Sequence, residues 1–216
     1  MPETQENSDI VVTGWSPRYR RAVAKLLTIE GGYVNDPADR GGATKYGISL
    51  RFLKAEGAFD LDEDGLKDFD LDFDGDIDGA DIRALSLDDA KVLYHRCFWK
   101  SLNCDNLAQP LGEVMFDQGV NGGKHAARKM LQQAINRCMA RYASAPAKVA
   151  VDGVIGIRTM QAMNWCIHWA AIGTSGLIAS YRDVVIFRYK EIVARDPSQK
   201  RFLKGWLARA AKLGRI

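Results

Sequence analysis

Residues 30–49 read EGGYVNDPADRGGATKYGIS, and the carboxylates of Glu30 and Asp39 stand among five glycines there, with Asp36 between them. The stretch follows a helix. Ser16-Pro17 supplies a cap residue and then proline at the first helical position, and Val23, Leu26 and Leu27 carry helical spacing up to about Glu30. Gly31-Gly32 ends that helix. From Tyr33 to Ile48 the density of Gly, Asp, Asn and Pro predicts an irregular loop with a small β-hairpin. A carboxylate at a helix C-terminus meets partial negative charge, which disfavours its ionised form, and partial burial acts the same way. Glu30 is thus a candidate general acid. Glycoside hydrolysis needs such an acid to protonate the leaving oxygen, with a second carboxylate nearby. Asp39 is the candidate for that second group, and Thr44 the candidate for holding a water. Turns also collect Asp and Gly for backbone reasons, so spacing alone supports a structural reading equally well.

Outward from this stretch, Leu50 to Glu56 reads as a short helix. Ser86-Leu87-Asp88-Asp89 resembles a capping box with Asp in place of Glu or Gln, and it should start a helix running to about Trp99. Residues 111–121, 124–142, 157–172, 176–194 and 198–212 carry further helical patterns, and 143–156 reads as a loop. The expected class is mainly α, with one small β element.

The chain has 216 residues and a net charge of +3, which hides a division. Residues 56–89 hold fourteen acids and two bases, so the remainder is strongly basic. A basic body favours nucleic acid, anionic lipid or a bacterial cell wall as partner. No nucleic-acid motif is present, so nucleic acid is not expected. No apolar run is long enough to span a membrane. The polar N-terminus lacks the pattern of a secretory signal, so synthesis in a cytoplasm is expected, with release to the wall by another agent. Cys97, Cys104, Cys138 and Cys166 show no metal spacing and read as buried free thiols. His95, His125 and His168 read as ordinary structural or surface histidines.

Within the acidic segment, DLDFDGDIDGAD at residues 70–81 fits an EF-hand-type calcium loop. Asp70, Asp72 and Asp74 occupy positions 1, 3 and 5, and Gly75 supplies the turn at position 6. Asp76 offers its carbonyl at position 7, Ile77 packs inward, Asp78 is position 9 and Asp81 closes the loop at 12. Without a cation so many carboxylates repel one another, and one structural Ca²⁺ is the expected cofactor. A solvated acidic loop is the alternative. An earlier half-pattern, Asp60, Asp62, Asp64 and Gly65, breaks at Leu71 and is not expected to form a second complete loop.

Glu30-Gly31-Gly32-Tyr33, Asp39, Gly41-Gly42, Thr44 and Gly47-Ile48 together resemble the signature of glycoside hydrolase family 108, N-acetylmuramidases that include phage endolysins. Phe116-Asp117-Gln118-Gly119-Val120-Asn121-Gly122-Gly123 is similar to that family's FDxxVNxG segment, and Val151-Asp152-Gly153-Val154-Ile155-Gly156-Ile157-Arg158-Thr159 to the predicted peptidoglycan domain that accompanies it. Ile157 stands where related segments often have proline. A more distant likeness is to the phage T4-type lysozymes, whose Glu, Asp and Thr stand at E-x8-D-x5-T; here the spacing is E-x8-D-x4-T.

The resemblance implies a lysozyme-like α+β fold with a hairpin at the active site. It implies a catalytic region over 16–122 and a helical peptidoglycan-domain-like region over 123–216; the calcium-loop insert at 57–85 is not part of the family pattern, and residues 1–15 read as a disordered tail. It implies cleavage of the β-1,4 bond between N-acetylmuramic acid and N-acetylglucosamine, with Glu30 as acid. Tyr33, Tyr46, Asp117 and Asn121 become candidate substrate contacts. The implied protein is a monomeric antimicrobial endolysin of phage or prophage, with peptidoglycan as its partner. The alternatives are a lytic transglycosylase, which leaves an anhydro-sugar end, and a non-catalytic wall-binding or secretion-helper protein. SQKRFLKGWLARAAKLGRI at 198–216 pairs an apolar face with six bases. It reads as a terminal helix packed on the core, or as an amphipathic helix touching anionic envelope lipid.

Overall fold

The computed structural model describes residues 14–28, 33–34, 42–60, 63, 65 and 67–215. The chain forms two compact units, Met1–Ser101 and Leu102–Ile216. Among the described residues it is mainly helical with one two-stranded antiparallel sheet, as the sequence predicts. The expected tail falls outside the described residues but for Gly14 and Trp15. No helix among the described residues is long and apolar enough to cross a membrane.

In the first unit α1 spans Pro17–Leu27, and the Ser16 side chain accepts from the Tyr19 amide as the cap requires. Its inner face carries Tyr19, Val23 and Leu26. Tyr19 is fully buried; its hydroxyl donates to the Lys91 carbonyl, and its ring meets Trp15, His95 and Trp99. Strands β1 (Thr44–Lys45) and β2 (Ile48–Ser49) pair Thr44 with Ser49 and Lys45 with Ile48. Tyr46 and Gly47 between them both have positive φ, 51° and 75°, which a tight two-residue hairpin demands. Helix α2 (Leu50–Glu56) follows, capped by Ser49.

The acidic segment then delivers α3 (Gly79–Ala84), a short helix absent from the sequence expectation. Helix α4 (Leu87–Tyr94) starts with the expected Ser86–Asp89 capping box, and both of its reciprocal bonds form. It continues as a wider π-helical turn over His95–Lys100. That wider turn brings three successive residues, Cys97, Phe98 and Trp99, into the core.

The second unit is built from α5 (Leu111–Gly122), α6 (Lys124–Met139), α7 (Ile157–His168), α8 (Gly173–Arg195) and α9 (Lys200–Lys212). Helices α6 and α8 pack closely because small and apolar side chains meet: Ala127, Leu131 and Ala134 against Leu177, Tyr181 and Val185. Tyr181 and Ser180 each donate a hydroxyl to an α6 carbonyl, Ala127 and Ala134. Helices α6 and α7 both stop short of the expected ends. Trp169 leaves the helical path and stacks on Trp165 at 4.8 Å, and Tyr142 closes the cluster 5.6 Å from Trp169. Helix α9 lies on α8 through Trp206, whose ring is 5.2 Å from Tyr189, and through buried Ala210.

Candidate functional site

Glu30 and Asp39 lie outside the described residues, as do Asp62 and Asp64 of the half-pattern. What the structure places is their frame. Helix α1 ends at Leu27 with Thr28 as its C-cap, shortly before Glu30 in the chain. Val34 bridges to Thr44 through two backbone hydrogen bonds of 2.8 Å, so the chain on either side of the acidic stretch is fixed to β1. Thr44 is half-buried and its hydroxyl lies 3.4 Å from the Gly42 carbonyl. Tyr46 sits in the hairpin turn, its carbonyl accepting from the Tyr94 hydroxyl, and the Lys45 ammonium lies 5.4 Å from its ring.

Tyr33 is 36% exposed beside the hairpin and meets Arg83 of α3. The guanidinium is 5.4 Å from the Tyr33 ring and within 3.4 Å of its hydroxyl. Lys45 donates at 2.6 Å to the Arg83 carbonyl. The C-terminal turn of α3 is thus joined both to β1 and to the tyrosine of the EGGY segment.

The acidic loop folds as an EF-hand-like sequence should in its first half. Asp70 is buried, and its carboxylate accepts from the Asp74 and Gly75 amides at 3.1 and 2.8 Å. Gly75 takes φ 98°, which admits glycine most readily. Ile77 is buried, as predicted. One carboxylate oxygen from each of Asp70, Asp72 and Asp74 lies within 4.8 Å of the others, a spacing one cation can bridge. Desolvation and then the carboxylates of Asp74, Asp81 and Asp70 push the Asp72 carboxyl above its ordinary range. The second half is organised differently. Asp78 caps α3, and Asp81, wholly buried, accepts at 2.6 Å from both the Leu71 and the Asp78 amides. Asp76 is exposed, and its amide donates to Asp74. The half-pattern repeats the opening turn in miniature: Asp60 accepts from Gly65 at 2.8 Å, as Asp70 does from Gly75.

In the second unit, Asp117 of α5 receives Arg209 of α9, with Nε at 3.3 Å and Nη2 at 3.0 Å. Asn121 is exposed and donates to the Asp117 carbonyl at 2.6 Å. Gln118 is 1% exposed and accepts from Tyr189. The Phe116–Asn121 segment therefore joins α5 to α8 and α9.

The Val151–Thr159 segment is held by a residue that sequence reasoning missed, Gln132 of α6. Its amide nitrogen donates to Asp152 Oδ1 at 2.8 Å and to the Val154 carbonyl at 3.0 Å; its oxygen accepts from the Gly153 amide at 2.8 Å. Its signal was a glutamine on the apolar stripe of a helix, between Leu131 and Ile135. Gly153 has φ 79°, and a Cβ there would come within 2.5 Å of the His125 ring. The Val154 amide and Gln132 hold the Asp152 carboxyl below its ordinary range.

Beside this loop, α6 and α8 flank a groove of about 440 Å³. Lys129, Gln133, Arg137, Arg188, Phe187 and Val151 are among the residues lining it. All four cysteines are buried free thiols, as expected. Cys138 and Cys166 touch; their hydrogen bond holds the Cys138 thiol down to about 7 and raises that of Cys166.

Residues 23–123 match the family described as Glycosyl hydrolase 108, and residues 126–211 match the Predicted Peptidoglycan domain. Among solved structures, the chain is similar to Brucella abortus SagA, at 23% identity and a TM-score of 0.60. That similarity covers 92% of this chain and 96% of that one. At that identity the likeness establishes the fold, which is lysozyme-like and mainly α. No curated relative matches the chain.

Proposed function

We propose that this chain, which belongs to the glycosyl hydrolase 108 family and carries the predicted peptidoglycan domain behind it, is an N-acetylmuramidase. That the chain is a peptidoglycan hydrolase follows from the two domains themselves. The finer reading is cleavage of the β-1,4 bond between N-acetylmuramic acid and N-acetylglucosamine. Its main support is the EGGY segment of the sequence, which follows α1 in the chain and precedes the Val34–Thr44 bridge.

Glu30 is the general acid: in its protonated form it gives its proton to the glycosidic oxygen as the bond to the anomeric carbon breaks. The role requires a carboxyl that keeps its proton near neutral pH. Asp39 stabilises the developing positive charge or takes a proton from the attacking water, and Thr44 orients that water from β1. Tyr33, Tyr46, Asp117 and Asn121 are proposed substrate contacts. For Asp117 this means contact alongside its pair with Arg209.

The acidic loop is proposed to hold one Ca²⁺. Three carboxylates already converge there, and oxygen ligands of this kind suit a hard cation. The ion would neutralise their repulsion and brace α3 against the hairpin. Asp76, Asp78 and Asp81 complete the proposed ligand set.

The test is turbidity clearing of purified peptidoglycan by wild type and Glu30→Gln, with product masses. Clearing by wild type alone, leaving reducing muramic-acid ends, is the expected result. Anhydro-sugar ends would replace hydrolysis by a lytic transglycosylase. Full activity in a folded Glu30→Gln protein would remove Glu30 from its role. Calcium added to chelator-stripped protein should raise the melting temperature, and no shift would remove the metal.

A further inference from the structure

The groove between α6 and α8 carries chemistry that sugar-bond cleavage does not use. We infer that it seats the acidic stem peptide of peptidoglycan, so that this domain grips the wall by its peptide and not by its sugar. The inference rests on the peptidoglycan reading above.

At about 440 Å³ the groove could enclose a few peptide residues, since small-ligand sites run to roughly 300–1,000 Å³. Lys129 and Arg137 project from one face of α6, and Arg188 from the facing side of α8. Among the described residues, none of these three cations is held in an ion pair. The acid lining the groove, Glu191, already stands 3.7 Å from Arg195. Asp152, the acid beside Lys129, is committed to Gln132 and to the Val154 amide. The groove therefore presents positive charge with little internal compensation.

Its apolar part is also exposed. Phe187 is 58% accessible and Val151 36%, which suits the methyl and methylene groups of a short peptide. A sugar ring asks for something else: paired polar side chains around its hydroxyls and an aromatic plate with a polar edge. Phe187, the aromatic side chain in the lining, has no polar edge, and Asn136 spends its amide on the Val149 backbone. Gln133 is exposed and can pair with a peptide backbone. Stem peptides bring free carboxylates, small side chains and a backbone, and each has a counterpart here.

The experiment uses the full chain. Cosedimentation in the cold compares intact peptidoglycan with the same glycan stripped of its peptides by an amidase. A free stem tetrapeptide is titrated while amide signals of α6 and α8 are followed. The expected result is at least tenfold weaker sedimentation with stripped glycan, shifts confined to α6, α8 and the 151–154 loop, and weakening by salt. The double variant Arg137→Glu/Arg188→Glu and, separately, Phe187→Ala should each lose at least tenfold in tetrapeptide affinity at unchanged melting temperature. Equal sedimentation with stripped glycan, no shift on α6 or α8, or wild-type affinity in both variants would overturn the inference. Cleavage of peptide-free glycan by wild type is scored separately. A protein that cuts this glycan without any stem preference overturns the groove and keeps the hydrolase. Stem-peptide binding by a folded protein that cuts nothing supports the groove while removing the hydrolase.

Discussion

Replacing Gln132 by leucine should uncouple the 151–154 loop from the helical core. The side chain is 1% exposed, so leucine of similar size keeps the packing and removes the amide. Two losses dominate. The Gly153 amide, in a buried residue, loses its 2.8 Å acceptor, and an orphaned buried donor costs about 1–3 kcal/mol. The bond to Asp152 adds a smaller loss, since that exposed carboxylate recovers its hydration. Val154 is 65% exposed, so its carbonyl turns to water at little cost. The expected destabilisation is about 1–3 kcal/mol, a fall of about 0.5–1.5 M in the urea midpoint. Because the chain has two units, amide exchange along α6 and α8 should follow the transition, with the Gly153 amide read separately. Gln132→Glu should be worse, because it sets a second carboxylate against Asp152. A loss below about 1 kcal/mol, with unchanged Gly153 exchange, would refute the latch.

Asp81→Ala removes a buried carboxylate and leaves the half-buried Leu71 and Asp78 amides without their acceptor, which should cost about 2–4 kcal/mol, whereas exposed Asp76→Ala should stay within about 0.5 kcal/mol. Equal melting shifts for the two would contradict the assignment. The Asp152 carboxyl is depressed in the folded state, so its stabilising contribution is present above the ordinary carboxylate value of about 3.9 and is lost as pH falls through the lower folded value. Acid melts of wild type and Asp152→Asn should therefore converge below pH about 3.9, and a constant gap would exclude the mechanism. All four thiols should resist a disulfide reagent in native protein and react in urea. Prompt native reaction at Cys97 or Cys104 would be inconsistent with their burial.

Local signals carried most of the fold. Ser16-Pro17 and Ser86 start their helices because each cap is satisfied within one turn of chain, so sequence contains the whole interaction. The hairpin was legible for the same reason, through Gly47 and the glycine-rich flanks. Helix α3 was not, because its capping residues Asp78 and Asp81 also fit calcium positions, and six residues carry little periodicity. The ion pair between Asp117 and Arg209 joins residues far apart in the chain, so Asp117 read as a candidate substrate contact with no sign of its partner. The groove had no signal of its own: Lys129 and Arg137 look like a solvated face until α8 brings Phe187 and Arg188 opposite them. Gln118 and Gln132 could have been found, since a glutamine on a buried stripe requires a partner.

The position of Arg83 sets a limit on what calcium can do for catalysis. Among the described residues, the acidic segment meets the EGGY tyrosine at Arg83, by a 5.4 Å cation–π contact and a long 3.4 Å hydrogen bond. An exposed contact of that kind contributes about 0.5–1 kcal/mol. Ten-fold in rate needs about 1.4 kcal/mol. If removing the proposed ion releases α3, wall clearing well below the melting temperature should therefore fall by less than about tenfold, while the melting temperature drops. Arg83→Ala should reproduce the activity change in calcium-replete protein with a smaller stability change, because Asp81 still holds the loop closed. Complete loss of clearing in chelator, with α1 and the hairpin still folded, would refute this limit. The acidic segment would then have to act on Glu30 by a route other than Tyr33.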